Sequence, residues 1–245
     1  MTMDGTQKTP MKRSELQMAR SMCWHCQSEI TGEYFCEQCV KVQPLSKEMD
    51  YFTCLGLPRL LNIDLGALEA KFYELSRTFH PDFYQRKTES EQSISLGNSA
   101  MLNTAYRTLK DPIQRAEYLL RLEAGSAKDI RTSPPADLFE EILTLQEDLE
   151  AYRSASDQNP AAVARLRDKL TTDRELLEQR QREMDRRLFE LFTRWDALHS
   201  RQSRTDPASP DFQKDATAVL KEMREILSNR TYLRNIVNDL TATTA

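Results

Sequence analysis

Glycine is scarce in this chain, with 6 in 245 residues. No glycine-rich loop able to cradle a phosphate is visible, and 10 prolines are left as the main punctuation of a helix-friendly composition. Histidine is scarcer still: His25, His80 and His199 are all there are. No serine or cysteine has an evident base, so catalysis is not expected. No apolar run of about 18 residues exists, which excludes a spanning helix and a membrane role of that kind. An excess of positive charge is also missing. A net charge of −4 and a pI near 5.6 speak against nucleic acid, whose partners usually carry a basic domain. The opening stretch MTMDGTQKTPMKRSELQMARSMC has no apolar core of a secretory signal. Asp4 and Glu15 interrupt the basic character that a mitochondrial presequence would need. A reducing compartment is the expectation, and clustered cysteines there read as metal ligands before disulfides.

Four of the five cysteines are so clustered. Cys23-x2-Cys26 and Cys36-x2-Cys39 are two knuckles that could set four sulfurs tetrahedrally around one ion. Structural zinc is the first reading; paired disulfides and a rubredoxin-like iron site are the alternatives. A segment below about 40 residues rarely buries enough apolar surface to fold without a staple. Zinc supplies on the order of 10–16 kcal/mol to such peptides. We therefore expect a disordered start at 1–20 and a four-cysteine zinc knot at 21–45. Trp24, Tyr34 and Phe35 would shield the sulfurs, and His25, inside the first turn, reads as a bystander. A site closed by four sulfurs leaves no open position for substrate. Cys54, in an apolar run, reads as a core residue.

Residues 49–123 alternate turns with helical patterns. Tyr51, Phe52, Cys54 and Leu55 suggest a short helix stopped by Gly56 and Pro58. Asp64 is a candidate cap for the next, whose apolar face carries Leu65, Leu68, Phe72, Leu75 and Phe79. Pro81 lacks a backbone donor and pushes His80 out of helical geometry, so this helix ends near there. An imidazole and a carboxylate, in His80-Pro81-Asp82, then sit at the tip of a helical hairpin. The third helix carries Leu102, Ala105, Tyr106 and Leu109 and stops at Lys110-Asp111-Pro112. Pro112 suits the first turn of a fourth.

The rest of the chain, after the polar linker GSAKDIRTSPP, repeats in sevens. Val163, Leu170, Leu177, Met184, Leu191 and Leu198 form one seam, joined by Leu188 and Trp195. Phe212, Val219, Ile226, Leu233 and Leu240 form another, with Ala216, Met223 and Val237 between them. Leu138, Ile142, Leu145, Leu149 and Tyr152 supply a third. Asn159-Pro160, Pro207 and Pro210 mark the links. The expected fold is all-α: a helical hairpin followed by an antiparallel three-helix bundle at 136–245. A coiled-coil dimer is the alternative. Phe139 and Leu143 lie one position off the third seam, followed by Glu147; Tyr232 lies off the seam of the last helix. They are either a partner surface or the edge of a wide core face.

His-Pro-Asp with the flanks DYFTCLGLP, SAMLNTAYRTLKDP and QRAEYLL resembles the HscB family, J-domain co-chaperones of iron–sulfur cluster assembly. DLFEEILTLQEDLE and NRTYLRNIV extend the likeness, and some members carry a knot opening CW-x-C, as CWHC does here. The resemblance implies a J-domain at 49–123, with His80, Pro81 and Asp82 engaging a DnaK/HscA-type chaperone, helped by Lys71 and Arg77. It implies that the C-terminal bundle binds an IscU-type iron–sulfur scaffold protein through Phe139, Leu143, Glu147 and Tyr232. Glu140, Thr144 and Ala151 depart from the family's usual contacts there. The implied function is delivery of the scaffold to the chaperone and stimulation of its ATPase; a general J-domain co-chaperone for unfolded polypeptides is the second reading. The resemblance implies the mitochondrial matrix if the source is eukaryotic; the weak presequence favours a bacterial cytoplasm.

Overall fold

The computed structural model describes residues 21–30, 34–46, 48–123, 139–155, 160–201 and 209–244. The expected disordered start, the polar linker, Leu138, Asn159 and Pro207 lie outside the described residues. Two compact units emerge. One comprises the described residues through Pro58 together with Leu65–Leu109; the other comprises Arg59–Asp64 and the described residues from Lys110 on.

The first unit begins with an antiparallel strand pair, β1 (Ser21–Met22) and β2 (Glu29–Ile30), on either side of the first cysteine knuckle. Phe35 and Val42 form a bridge around the second. Helix α1 (Tyr51–Cys54) starts at Asp50, whose carboxylate accepts from the Thr53 amide at 2.9 Å and the Thr53 hydroxyl at 3.0 Å. It ends at Gly56, where φ is +66°, a conformation that favours a residue without Cβ. Helix α2 (Leu65–Thr78) buries Leu68 and Leu75, and Phe79 follows, fully buried. Phe72 stacks on Tyr106 with ring centroids 4.2 Å apart. Leu65, expected on the same buried face, is half exposed. It opens the first turn, which has no preceding turn to lean on.

A 3-10 turn, Pro81–Tyr84, leads into α3 (Glu89–Lys110). The start of α3 is a capping box that the sequence carries as Thr88-x-x-Glu91. The Glu91 amide donates to the Thr88 hydroxyl at 3.4 Å, and the Thr88 amide and hydroxyl donate to the Glu91 carboxylate at 3.3 and 2.9 Å. Helix α3 buries Leu102, Ala105 and Leu109, as its periodicity predicts. It also buries Glu91, Ser95 and Asn98, which periodicity alone does not predict.

From Pro112 on, the described residues of the second unit are almost entirely helical. Asp111 caps α4 (Pro112–Glu123) by accepting the amides of Ile113 and Gln114 at 2.8 and 2.9 Å. The bundle consists of α5 (Phe139–Ser154), α6 (Pro160–Arg201) and α7 (Pro210–Thr244). Ile142, Leu145 and Leu149 meet Leu170, Leu177, Leu233, Val237 and Leu240 in one apolar core. Each such side chain contributes roughly 1.5–3 kcal/mol on burial. Further along, Leu188, Leu191, Phe192 and Trp195 are buried, as are Val219, Met223, Ile226 and Leu227. Helices α6 and α7 run antiparallel: Arg167 donates to the Thr244 carbonyl at 3.0 Å, Asp185 pairs with Arg230, and Arg187 pairs with Glu222 at 2.6 Å. The seams meet within one chain, as folding back requires.

Segment Arg59–Asp64 is tied to the same unit by polar contacts. Asp196 accepts the amides of Leu61 and Asn62 at 2.7 and 2.8 Å, and the Trp195 indole donates to the Arg59 carbonyl at 3.2 Å. Asp196 also offers opposite charge to the buried Arg115. Replacing Asp196→Ala strands two amides and weakens Arg115's compensation. We expect a loss of about 1–3 kcal/mol, read as a lower urea midpoint with unchanged slope, and a smaller loss for Asp196→Asn.

Candidate functional site

The knot brings its four expected ligands together. The sulfurs of Cys23, Cys26, Cys36 and Cys39 all lie within 4.8 Å of one another. The pairs Cys23–Cys39 and Cys26–Cys36 stand at 3.6 Å, far beyond a covalent S–S bond of about 2.05 Å. A tetrahedral ion with metal–sulfur bonds of about 2.3 Å sets its sulfurs about 3.8 Å apart, so the cage fits a metal ion. None of the five cysteines is in a disulfide. The surroundings divide them. The Ser28 hydroxyl, 3.1 Å from Cys36, draws that thiol down to about 6, while burial pushes Cys39 up to about 12. Burial works to raise Cys23 as well, but amide donors at Cys26 and His25 outweigh it and the net direction is down. Gln43, itself buried, adds a side-chain N–H to the Cys23 sulfur at 3.4 Å. Cys54 is fully buried away from this group, and burial lifts it to about 11. The indole of Trp24 donates to the Val42 carbonyl at 2.7 Å, and the rings of Tyr34 and Phe35 meet Phe79.

Each knuckle closes with the same backbone move. Gln27 and Val40, each one residue past a second cysteine, have φ of 62° and 57°. For a β-branched valine this is a strained conformation, costing of order 1–3 kcal/mol.

The His80-Pro81-Asp82 turn is the second site. Helix α2 ends because Pro81 cannot donate, and the Phe79 carbonyl left behind accepts the hydroxyls of Ser95 and Ser99, both at 2.8 Å. The Tyr84 hydroxyl donates to the Thr78 carbonyl at 3.2 Å. Nδ1 of His80 accepts the Asp82 amide at 3.3 Å, an N-cap for the turn. Gln85 donates to the Asp82 carboxylate at 3.2 Å, yet the Asp82 side chain remains 68% exposed. Tyr73, Ser76, Arg77, His80, Asp82 and Phe83 line a shallow cleft. Arg77 is thus brought to the turn. Lys71 is not in that lining; it pairs with Glu74 at 3.0 Å. Exposed Tyr73 and Phe83 were not singled out by periodicity, though both stand off the buried stripe of α2 and the turn.

The third site is a face of α5. Phe139 and Leu143 are 56% and 50% exposed, so they do not belong to a widened core, and Glu147 is exposed one turn on. Tyr232 is half-buried and packs against the bundle core that contains Ile142.

The knuckle strain yields a prediction for the first site. Val40→Gly removes the Cβ clash without touching a ligand. Metal retention in competition with a chelator is expected to improve by about fivefold, near 1 kcal/mol, because binding and folding of the knot are coupled. Unchanged or weaker retention would contradict the assigned backbone.

No protein-family model matches the chain. It is 32% identical over 158 residues to the iron–sulfur cluster co-chaperone protein HscB of Mus musculus, an alignment covering 62% of this chain and 67% of that one. It is 37% identical over 114 residues to a co-chaperone protein HscB homolog of Aliivibrio salmonicida, covering 46% of this chain and 67% of the relative. The crystal structure of human co-chaperone protein HscB shares the fold at a TM-score of 0.61, with 23% identity over 91% of this chain and 98% of that one. Together with the four-cysteine knot and the His-Pro-Asp turn, these matches establish that the chain belongs to the HscB family of J-domain co-chaperones of iron–sulfur cluster assembly.

Proposed function

We propose that the protein delivers an IscU-type scaffold to a DnaK/HscA-type chaperone and stimulates that chaperone's ATPase. The observation that carries this reading is the turn itself: an exposed Asp82 carboxylate on backbone held by Pro81, the His80 cap and the two serine bonds to Phe79. A carboxylate so held can pair with a cation on the ATPase at little ordering cost. Arg77 supplies the complementary charge at the edge of the cleft, and Phe83 and Tyr73 supply apolar contact. Lys71 joins by exchanging Glu74 for an acid on the chaperone. His80 acts as a cap and transfers no proton.

The scaffold is held by Phe139 and Leu143, with Glu147 as a polar rim and Tyr232 contributing its exposed part. An aromatic and a leucine one turn apart, beside a filled seam, suit a small hot spot. Carrying both surfaces on one chain raises the local concentration of scaffold at the chaperone. Cys23, Cys26, Cys36 and Cys39 hold zinc as a structural ion, the metal that a four-sulfur tetrahedral cage without an open position suits best.

Two experiments test the division of labour. Asp82→Asn should abolish stimulation of chaperone ATP hydrolysis while leaving the scaffold's Kd unchanged in calorimetry; loss of both together would overturn separate surfaces. Phe139→Ala with Leu143→Ala should weaken scaffold binding at least about 30-fold, or 2 kcal/mol, with thermal stability barely moved. Wild-type affinity in that double variant would discard the face.

A further inference from the structure

We infer that the cysteine knot braces the His80–Asp82 turn, so that metal occupancy sets how firmly the turn is held. Among the described residues, the knot's aromatics meet Phe79, the fully buried residue that leads into the turn. Tyr34 meets the Phe79 ring edge-on with centroids 5.5 Å apart, and Phe35 lies nearly parallel to it at 6.5 Å. Both aromatics immediately precede the ligand Cys36 in the chain, and the Gln43 amide donates to the Tyr34 carbonyl at 2.9 Å.

The knot also grips α3, the helix that supplies the serines holding Phe79. Asn98, 3% exposed, accepts the Leu45 amide and donates to the Gln43 carbonyl, both at 2.9 Å. That pair of bonds reads the backbone just past the last knuckle as a neighbouring strand would. Lys41 reaches the Glu91 carboxylate at 3.0 Å. Glu91 is also the capping-box acid of α3, so the lysine joins the knot to the start of that helix. The turn therefore has two supports. Serines of α3 hold the Phe79 carbonyl, and aromatics of the knot cover its ring.

The knot's own buried cluster is small and built largely of its ligands: Cys23, Ile30 and Cys36, with Cys39 packed against them. Its folding is tied to the metal. Removing the metal exposes the Phe79 ring and frees the Gln43–Leu45 backbone from Asn98. The serine bonds remain, so the turn loosens locally and α3 persists.

The brace stands on contacts within the first unit and goes beyond the proposed function, whatever the turn binds. It is tested by amide hydrogen exchange on the full chain in three samples: zinc-loaded protein, protein stripped by a chelator under reducing conditions, and the Tyr34→Ala/Phe35→Ala variant loaded with zinc. Exchange at the Phe79 and Phe83 amides is expected to accelerate about tenfold or more on stripping and in the variant. The Leu227 amide in α7 serves as the control and should not change. Unaltered exchange at Phe79 and Phe83, while the Cys36 and Val40 amides lose protection, overturns the brace. So does wild-type exchange in a variant that keeps its zinc. Should the variant lose zinc, the stripping arm alone decides. Chaperone ATPase stimulation by the same samples is scored separately: its absence from the zinc-loaded wild type overturns the proposed function and leaves the brace intact.

Discussion

The Phe79 carbonyl is the group on which the turn depends. Proline two residues on ends the helix, so this carbonyl loses its helical partner while its own side chain is fully buried. An orphaned buried acceptor costs about 1–3 kcal/mol. The chain resolves this with two hydroxyls, Ser95 and Ser99, one helical turn apart on α3. Their spacing fixes α3 in register against the end of α2, and the loop between them has little freedom left. The exposed carboxylate of Asp82 inherits its position from that register.

The same logic explains why the buried face of α3 is polar at its start. Glu91, Ser95 and Asn98 would each be costly in an apolar environment. Each is instead satisfied by chain from elsewhere: Lys41 and Thr88 for Glu91, Phe79 for Ser95, Gln43 and Leu45 for Asn98. Burial works to raise the Glu91 carboxyl, but the hydrogen bonds from Lys41 and Thr88 prevail and hold it below its ordinary value. A group so shifted stabilises the fold above the usual glutamate range and loses that contribution as acid protonates it. Polar networks of this kind specify one docking arrangement, because a slipped neighbour leaves donors unpaired.

Much of this was legible in the sequence for a physical reason. Periodic apolar residues, a proline and paired CxxC knuckles act locally, and local chemistry shows in the order of residues. The seams of α6 and α7, the stop at Gly56 and the break at Pro112 belong to this class. The Thr88–Glu91 capping box and the Asp111 cap are equally local, but neither lies on an apolar stripe, so periodicity does not mark them. The partners of Asn98 and Asp196 could not. Asn98 answers backbone more than 50 residues away, and Asp196 answers amides some 135 residues upstream. A lone Asn or Asp on a helix carries no mark of such a distant amide. Leu65 misled for the opposite reason: its spacing fits the stripe, but position in the first turn leaves it half uncovered.

The distribution of stabilising contacts in the bundle decides which parts of its surface are free to vary. Ion pairs such as Arg187 and Arg194 with Glu222, or Arg153 with Asp239, lie on exposed rims, where solvent and salt screen them and they add little. Stability therefore rests on the filled seam of Ile142, Leu145, Leu149 and their partners. Residues one position off that seam carry almost none of it. Phe139 and Leu143 leave half or more of their surface in water, which no requirement of folding explains. Scattered apolar residues on a surface need no reason, but an aromatic and a leucine four residues apart lie on the same face of the helix. Because the seam beneath is already filled, these two positions can change without endangering the fold. The reverse holds at Phe79, where fold and turn share the same side chain and neither can vary alone.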